Sequence, residues 1–166
     1  MAPAVAEARA AEPAASPAAR PAADRTESEP DIWSQDVATI DAWAKEKGLL
    51  GEVHFDFDRY ELRPEARDRL TRNAEFLKTY PDVLITIEGH CDERGTNEYN
   101  IALGDRRAFS AVHFLEQLGI ERGRLRTVSY GEERPQCREA GEGCWSRNRR
   151  AAFVISGRAG AGSTGG

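Results

Sequence analysis

The spacing of apolar residues changes repeatedly between residues 52 and 118, and this change constrains the fold more than any other feature. Apolar and polar residues alternate over residues 52–58, which predicts a half-buried strand. A helical stripe of Ala66, Leu70, Ala74 and Leu77 follows Pro64 and stops before Pro81. The β-branched segment 83–88 predicts a second strand. Strands that alternate with helices indicate an α/β domain whose helices pack on a sheet.

The same alternation continues to the end of the patterned region. Residues 89–95 are predicted to form a loop, and Thr96 is predicted to cap a second helix that ends at Gly119. Segments 125–130 and 151–155 are predicted to be the third and fourth strands, the third with the weaker pattern. A short additional helix is expected at residues 36–47, ahead of the first strand.

Aromatic residues define the extent of the predicted core. All thirteen lie between Trp33 and Phe153, which places the folded domain at residues 32–156. Residues 1–30 contain twelve alanines and five prolines, so we expect residues 1–31 to be a disordered, Ala/Pro-rich tether. The segment 157–166 contains five glycines and is predicted to be a disordered tail.

Length and charge exclude several classes of protein. With 166 residues, the chain has room for one core plus tails. Its 23 basic and 28 acidic side chains give a net charge of 23 − 28 = −5, which disfavours nucleic acid as a partner. No stretch of about 18 consecutive apolar residues is present, so the sequence predicts no membrane-spanning helix.

The densest group of polar residues spans 89–100, at the end of the second strand and the start of the next helix. Ligand sites in α/β sheets often occupy this position. Asn100, Leu103 and Arg107 share one helix face, so a loop folded over that face would let Asp92 and Arg107 flank one pocket. An acid and a base at that separation suit a zwitterionic, amino-acid-like ligand. The alternatives are an ordinary ion pair between the two side chains, or an Asp92 that caps a turn.

Other reactive residues in the sequence point to no catalytic or metal site. His90, Cys91 and Asp92 are a base, a nucleophile and an acid, but adjacent residues rarely converge on one substrate atom, so we expect no enzyme. The histidine and cysteines lack paired metal-ligand spacing, so neither a metal nor a cofactor is predicted. Cys137 and Cys144 lie in a Gly/Glu-rich segment where a disulfide could close a short loop, with Cys91 left over.

Four motifs carry a resemblance to a known family. They are GHCDERGTNEYNIALGDRRA at 89–108, FDFD at 55–58, SYGEERP at 129–135 and NRRAAFVI at 148–155. The chain resembles the OmpA-like peptidoglycan-binding domain family, and most closely its peptidoglycan-associated lipoprotein (Pal) branch. The resemblance runs from Val53 to Ile155. It implies an α/β (α+β) sandwich in the order β-α-β-α-β-β, with helices packed on a four-stranded mixed sheet.

The resemblance also implies a ligand and a set of binding residues. Members of this family hold the meso-diaminopimelate of the peptidoglycan stem peptide without covalent bonds. The Asp that takes the side-chain ammonium corresponds to Asp92, and the Arg that takes the side-chain carboxylate corresponds to Arg107. The positions that line the same site correspond to Phe57, Asp58, Arg94, Asn100 and Leu103.

The implied role is to tether the outer membrane to the cell wall within the Tol-Pal system, which maintains the envelope and supports cell division. An alternative is a periplasmic docking module whose main partner is TolB. The expected location is the periplasmic face of the outer membrane, through an N-terminal lipid. No cysteine precedes residue 91, so we expect the signal and the lipidated cysteine to have been removed, unless the native form carries no lipid.

Overall fold

The computed structural model describes residues 35–159. In chain order, the elements are α1 (Val37–Glu46), β1 (Val53–His54), α2 (Pro64–Thr79), β2 (Val83–His90), α3 (Asn97–Gln117), β3 (Leu125–Gly131), α4 (Glu142–Asn148) and β4 (Arg150–Arg158), with a single 3₁₀ turn at Arg122–Arg124. None of the helices within these residues has the length and apolar composition needed to cross a membrane.

The four strands form one mixed sheet in the order β1-β4-β2-β3. Strand β2 is central, parallel to β3 and antiparallel to β4, and the short β1 pairs with the other edge of β4. Val83, Ile85 and Ile87 of β2 are fully buried. The predicted class, helices packed on a four-stranded mixed sheet, is therefore confirmed.

Local sequence signals explain most helix boundaries. The side chain of Asp36 accepts a hydrogen bond from the Thr39 N–H (2.9 Å) and caps α1. Pro64 occupies the first turn of α2, where a missing N–H costs nothing. Thr96 accepts from the Tyr99 N–H (3.1 Å) and caps α3, and Gly119, with φ near 100°, follows its end. The four predicted apolar residues of α2 are all buried.

The prediction of a strand over residues 52–58 is wrong beyond His54. The Phe55 N–H still donates to the Arg149 carbonyl, but the chain then turns, with the Arg59 N–H donating to the Asp56 carbonyl (3.2 Å). Asp58 adopts a left-handed φ of 58°. Phe57, an apolar residue of the predicted strand, is 52% exposed because it lies on this turn.

The last strand is longer than predicted, and one helix was missed. Strand β4 continues to Arg158, where it pairs with Val83, so Gly157 and Arg158 belong to the sheet and not to a disordered tail. Helix α4 has too few apolar residues for its period to be visible in the sequence. The predicted tether 1–31 and residues 160–166 of the predicted tail lie outside the described residues.

Two glycines set the position of α3 against β2. A Cβ atom on Gly89 would overlap the backbone carbonyl of Gly104, so the helix backbone lies directly on the strand backbone. This contact fixes Leu103 and Arg107 beside the end of β2, where Cys91 and Asp92 follow.

Replacing Gly89 with Ala should therefore push α3 away from the sheet. We expect Gly89→Ala to lower the free energy of unfolding by about 3 kcal/mol, measured by denaturant titration, because the added methyl has no space. Gly123→Ala is the matched control, since its Cβ would meet no atom within 4 Å. Equal effects of the two substitutions would contradict the close approach.

Candidate functional site

A pocket of about 190 Å³ opens where the turn after β1, the loop after β2 and the first half of α3 meet. The structure brings all seven residues expected at a ligand site to this pocket, together with three more. The lining residues are Phe57, Asp58, Cys91, Asp92, Arg94, Gly95, Tyr99, Asn100, Leu103 and Arg107.

Asp92 is the buried acid of the pocket, with 4% of its surface exposed. Oδ1 accepts from the Arg94 backbone N–H (3.0 Å) and Nε (3.2 Å), and Oδ2 accepts from Arg94 Nη2 (2.8 Å) and Arg149 Nη1 (3.4 Å). Burial raises the pKa of Asp92, but the hydrogen bonds and charges of the two arginines outweigh it. The pKa therefore lies below its usual value, and the carboxylate stays ionised.

Arg107 is the buried base of the pocket and has no exposed surface. Its guanidinium donates to three backbone carbonyl oxygens, those of Arg59 (2.7 Å), His90 (2.9 Å) and Asp56 (3.0 Å). A guanidinium carries five N–H groups, so two remain after these three bonds. Burial lowers the pKa of Arg107, which nevertheless remains a cation at neutral pH.

Asp92 and Arg107 thus share the pocket, although the ion-pair partners of Asp92 among the described residues are Arg94 and Arg149. The bond from the Arg94 N–H means that Asp92 also caps a turn, one of the alternatives that the sequence left open. The simple ion pair with Arg107 is the alternative that the geometry does not favour.

Arg94 lies across the mouth of the pocket between two aromatic rings. Its guanidinium carbon is 3.9 Å from the ring centre of Phe57 and 4.0 Å from that of Trp145. Cation–π contacts with the two rings help to hold the guanidinium next to Asp92. The Trp145 indole N–H donates to Glu93 (3.1 Å), which fixes the second ring.

The remaining lining residues shape the walls. Asn100 donates from Nδ2 to the Arg94 carbonyl (2.9 Å) and to Glu132 (2.6 Å), so it anchors the loop to α3. The Tyr99 hydroxyl donates to the Asp58 carboxylate and joins the turn after β1 to the helix. Leu103, 5% exposed, supplies an apolar wall.

Sequence reasoning missed Arg149 and Glu142. Arg149 donates to Asp92 and makes a two-pronged pair with Glu142 at 3.2 and 2.6 Å. These residues lie 57 and 50 positions from Asp92, so no local spacing connects them. The only signal was NRRAAFVI, which carried the family resemblance but did not place its arginines at the pocket.

The groups that could do covalent chemistry are engaged elsewhere. The Cys91 thiol donates to the Asn100 carbonyl (3.2 Å), and burial raises its pKa to about 11, so it is protonated at neutral pH. His90 Nε2 lies 3.1 Å from Glu88 Oε1. Among residues 35–159, no group of three or more metal-ligating side chains could hold an ion.

The sequence profile of the OmpA family matches residues 54–159. The chain belongs to the OmpA family. The matched segment begins in β1 and ends just after β4, so it contains every residue of the pocket.

Curated relatives of this OmpA-family chain carry the name peptidoglycan-associated lipoprotein. The protein of Brucella melitensis is 49% identical over 105 residues, which are 63% of this chain and 62% of the relative. The protein of Agrobacterium fabrum is 47% identical over 105 residues, 63% of this chain and 59% of the relative. The protein of Pasteurella multocida is 46% identical over 102 residues, 61% and 68% respectively. The match to the Brucella and Agrobacterium proteins spans less than two thirds of their length.

Solved structures of the same fold include the peptidoglycan-associated lipoprotein from Burkholderia pseudomallei. That structure superposes with a TM-score of 0.61 and 40% identity and covers 63% of this chain and 89% of its own. The C-terminal domain of Helicobacter pylori MotB also has a TM-score of 0.61, with 21% identity, and covers 69% of this chain and 90% of its own. The second likeness concerns the fold alone.

A disulfide stabilises the segment that carries Glu142 and Trp145. Cys137 and Cys144 are bridged, with their Cα atoms 5.3 Å apart. Replacing both with Ala should lower the free energy of unfolding by about 2.5 kcal/mol. Without the bridge, the unfolded chain regains the conformational entropy that the closed loop had removed. Denaturant unfolding measures this effect, and reductant added to the double variant should change nothing further. An unchanged midpoint in the variant would contradict the prediction.

The lowered pKa of Asp92 predicts how stability depends on pH. An unfolded aspartate ionises near pH 3.8, and the folded pKa is lower, so the stabilisation from this group is present above about pH 4. It is lost as the pH falls through the folded pKa. Asp92→Asn should cost about 2 kcal/mol at pH 7, because Arg149 loses a buried charged partner. We would measure urea unfolding of the wild type and of Asp92→Asn at pH 7, 5, 4 and 3. The difference between their free energies of unfolding should be the same at pH 7 and 5 and should decrease below pH 4.

Proposed function

We propose that this OmpA-family domain binds peptidoglycan non-covalently, through the meso-diaminopimelate of the stem peptide. The observation that carries the proposal is that a buried acid, Asp92, and a buried base, Arg107, line one pocket of about 190 Å³ without pairing with each other. The relatives named peptidoglycan-associated lipoprotein support the same ligand class.

In the proposed complex, the side-chain end of diaminopimelate enters the pocket as a zwitterion. Asp92 is ionised and accepts the ammonium group. The two remaining N–H groups of Arg107 donate to the carboxylate, and Leu103 contacts the methylene chain. Since lysine lacks that carboxylate, Arg107 distinguishes diaminopimelate from lysine.

The proposed activity is equilibrium binding and includes no covalent step. Cys91 is protonated and hydrogen-bonded to backbone, so the pocket offers recognition groups and no activated nucleophile. Because the relatives are named lipoproteins, we infer that the domain works at the periplasmic face of the outer membrane and links that membrane to the wall. A bridged cysteine pair suits that oxidising compartment.

The second candidate function is docking of TolB within the Tol-Pal system, as the family resemblance implies. Four large aromatic side chains, Phe57, Tyr60, Tyr99 and Phe109, are between 41% and 52% exposed. Two of them line the pocket and two line the neighbouring groove. Exposed aromatic residues around a polar site favour a protein partner on the same surface.

Calorimetric titration with muropeptides tests the first proposal. We expect the diaminopimelate muropeptide to bind at least 30-fold more tightly than its lysine counterpart, because the loss of one buried charge-assisted contact costs about 2 to 5 kcal/mol. Asp92→Asn and Arg107→Lys should both weaken binding, and thermal melts of each variant establish that it is folded. Arg138→Ala, on the exposed surface, is the control.

Equal binding of the two muropeptides would contradict the proposal that the pocket recognises diaminopimelate. In that case, a pull-down with TolB, using the wild type and the same variants, becomes the decisive measurement. Loss of TolB capture in Asp92→Asn would place the docking surface at the pocket, and retained capture would place it elsewhere on the domain.

A further inference from the structure

The Asp92 carboxylate is fully occupied by the protein's own donors. It accepts four hydrogen bonds, three from Arg94 and one from Arg149, and a carboxylate offers about four lone-pair positions. With 4% of the residue exposed, water has little access to the remaining surface. An ammonium group can therefore reach Asp92 only if one of these donors leaves.

The Arg94 side chain is the donor that is free to leave. The Arg94 backbone N–H is fixed by the turn, and the Arg149 side chain, 6% exposed, is also held by the Phe55 carbonyl (2.8 Å) and by Glu142. The Arg94 side chain is 33% exposed. Apart from Asp92, its contacts are the rings of Phe57 and Trp145, which form no hydrogen bond with it, and the Glu142 carboxylate at 3.9 Å.

A second acceptor lies next to Arg94. Glu142 Oε1 is 3.9 Å from Arg94 Nη2, and the Glu142 side chain is 65% exposed. Each Glu142 oxygen accepts one bond from Arg149, which leaves lone pairs for another donor. A shift of Arg94 towards Glu142 keeps its positive charge paired.

We propose that Arg94 is an internal competitor of the ligand, whose guanidinium occupies Asp92 in the free protein and moves to Glu142 when a ligand ammonium replaces it. This inference rests on the proposed function, since it concerns the same pocket. It makes Arg94 a specificity-determining residue. A ligand that brings only an ammonium group must displace a two-pronged ion pair for a single new contact. A ligand that also brings a carboxylate accepts hydrogen bonds from the two remaining N–H groups of Arg107. These bonds offset the loss of the Arg94–Asp92 ion pair.

Competition of this kind has a defined effect on affinity. The apparent dissociation constant exceeds the intrinsic one by the inverse of the fraction of protein in which Arg94 has left Asp92. If that fraction is about one tenth, removing the Arg94 side chain tightens binding about tenfold. If Arg94 instead made a net favourable contact with the ligand, removing its side chain would weaken binding.

Calorimetric titration of Arg94→Ala with the diaminopimelate muropeptide is the first test. We expect a dissociation constant about tenfold lower than that of the wild type. Arg138→Ala removes the same charge from an exposed site and should bind like the wild type. Weaker or unchanged binding by Arg94→Ala, when the variant melts like the wild type, would overturn the inference.

A double-mutant cycle tests the role of Glu142. Glu142→Gln removes the receiving carboxylate and should weaken binding several-fold while Arg94 is present. The loss should be smaller in the Arg94→Ala background, where no guanidinium needs a new partner. Changes that are additive across the cycle would contradict a move to Glu142.

An NMR titration of the wild type provides a readout that does not depend on a variant's folding. On addition of free meso-diaminopimelate, the Arg94 Nε–H signal should shift with saturation, while the Arg149 Nε–H signal, bonded to the Phe55 carbonyl, should stay. Saturating shifts at Leu103 with an unchanged Arg94 signal would overturn the inference and leave the proposed function standing. The absence of any response in the wild type, to free meso-diaminopimelate or to the muropeptide, would overturn both.

Discussion

A buried guanidinium joins the segments from which the pocket is built. Arg107 bonds two carbonyls of the turn after β1 and one carbonyl at the end of β2, and no part of it is exposed. Burying a charge costs several kcal/mol unless its donors are paired, so these three carbonyls must stay where they are. The same side chain thus fixes the irregular turn at Asp58, and two of its five N–H groups are not used in these three bonds.

The acid of the pocket depends on a different part of the chain. Asp92 is held by Arg94 within its own loop and by Arg149, which Glu142 positions from the segment closed by the disulfide. The charges alternate along this network, so each buried ion has a partner in the free protein. A pocket whose charges are satisfied in this way is stable without a ligand, and in the proposed complex the ligand would replace an existing contact.

Whether a sequence prediction is correct depends on how far apart in the chain the interacting residues lie. The apolar stripe of α2 and the cap at Thr96 depend on neighbours within four residues, and both are as predicted. The alternation at residues 52–58 predicted a strand to residue 58, but the observed strand ends at His54. The chain turns there because Arg107 bonds the carbonyls of Asp56 and Arg59, which lie 51 and 48 positions before it. Arg149 was missed as a partner of Asp92 for the same reason, since the two residues lie 57 positions apart.

By itself, the sequence determined the order of the four strands and of helices α1 to α3, because periodicity and capping are local signals. Its long motif carried the family resemblance, and that resemblance implied the seven residues that line one pocket. Only the tertiary structure decided how the charges are paired. Arg107 bonds carbonyls, while Arg94 and Arg149 share Asp92. The bonds of Arg107 and the bond from Arg149 to Asp92 depend on distances of about 3 Å between groups that lie 17 to 57 positions apart in the chain. No spacing along the sequence encodes those distances, because they arise only when β2, α3 and the segment before β4 pack together.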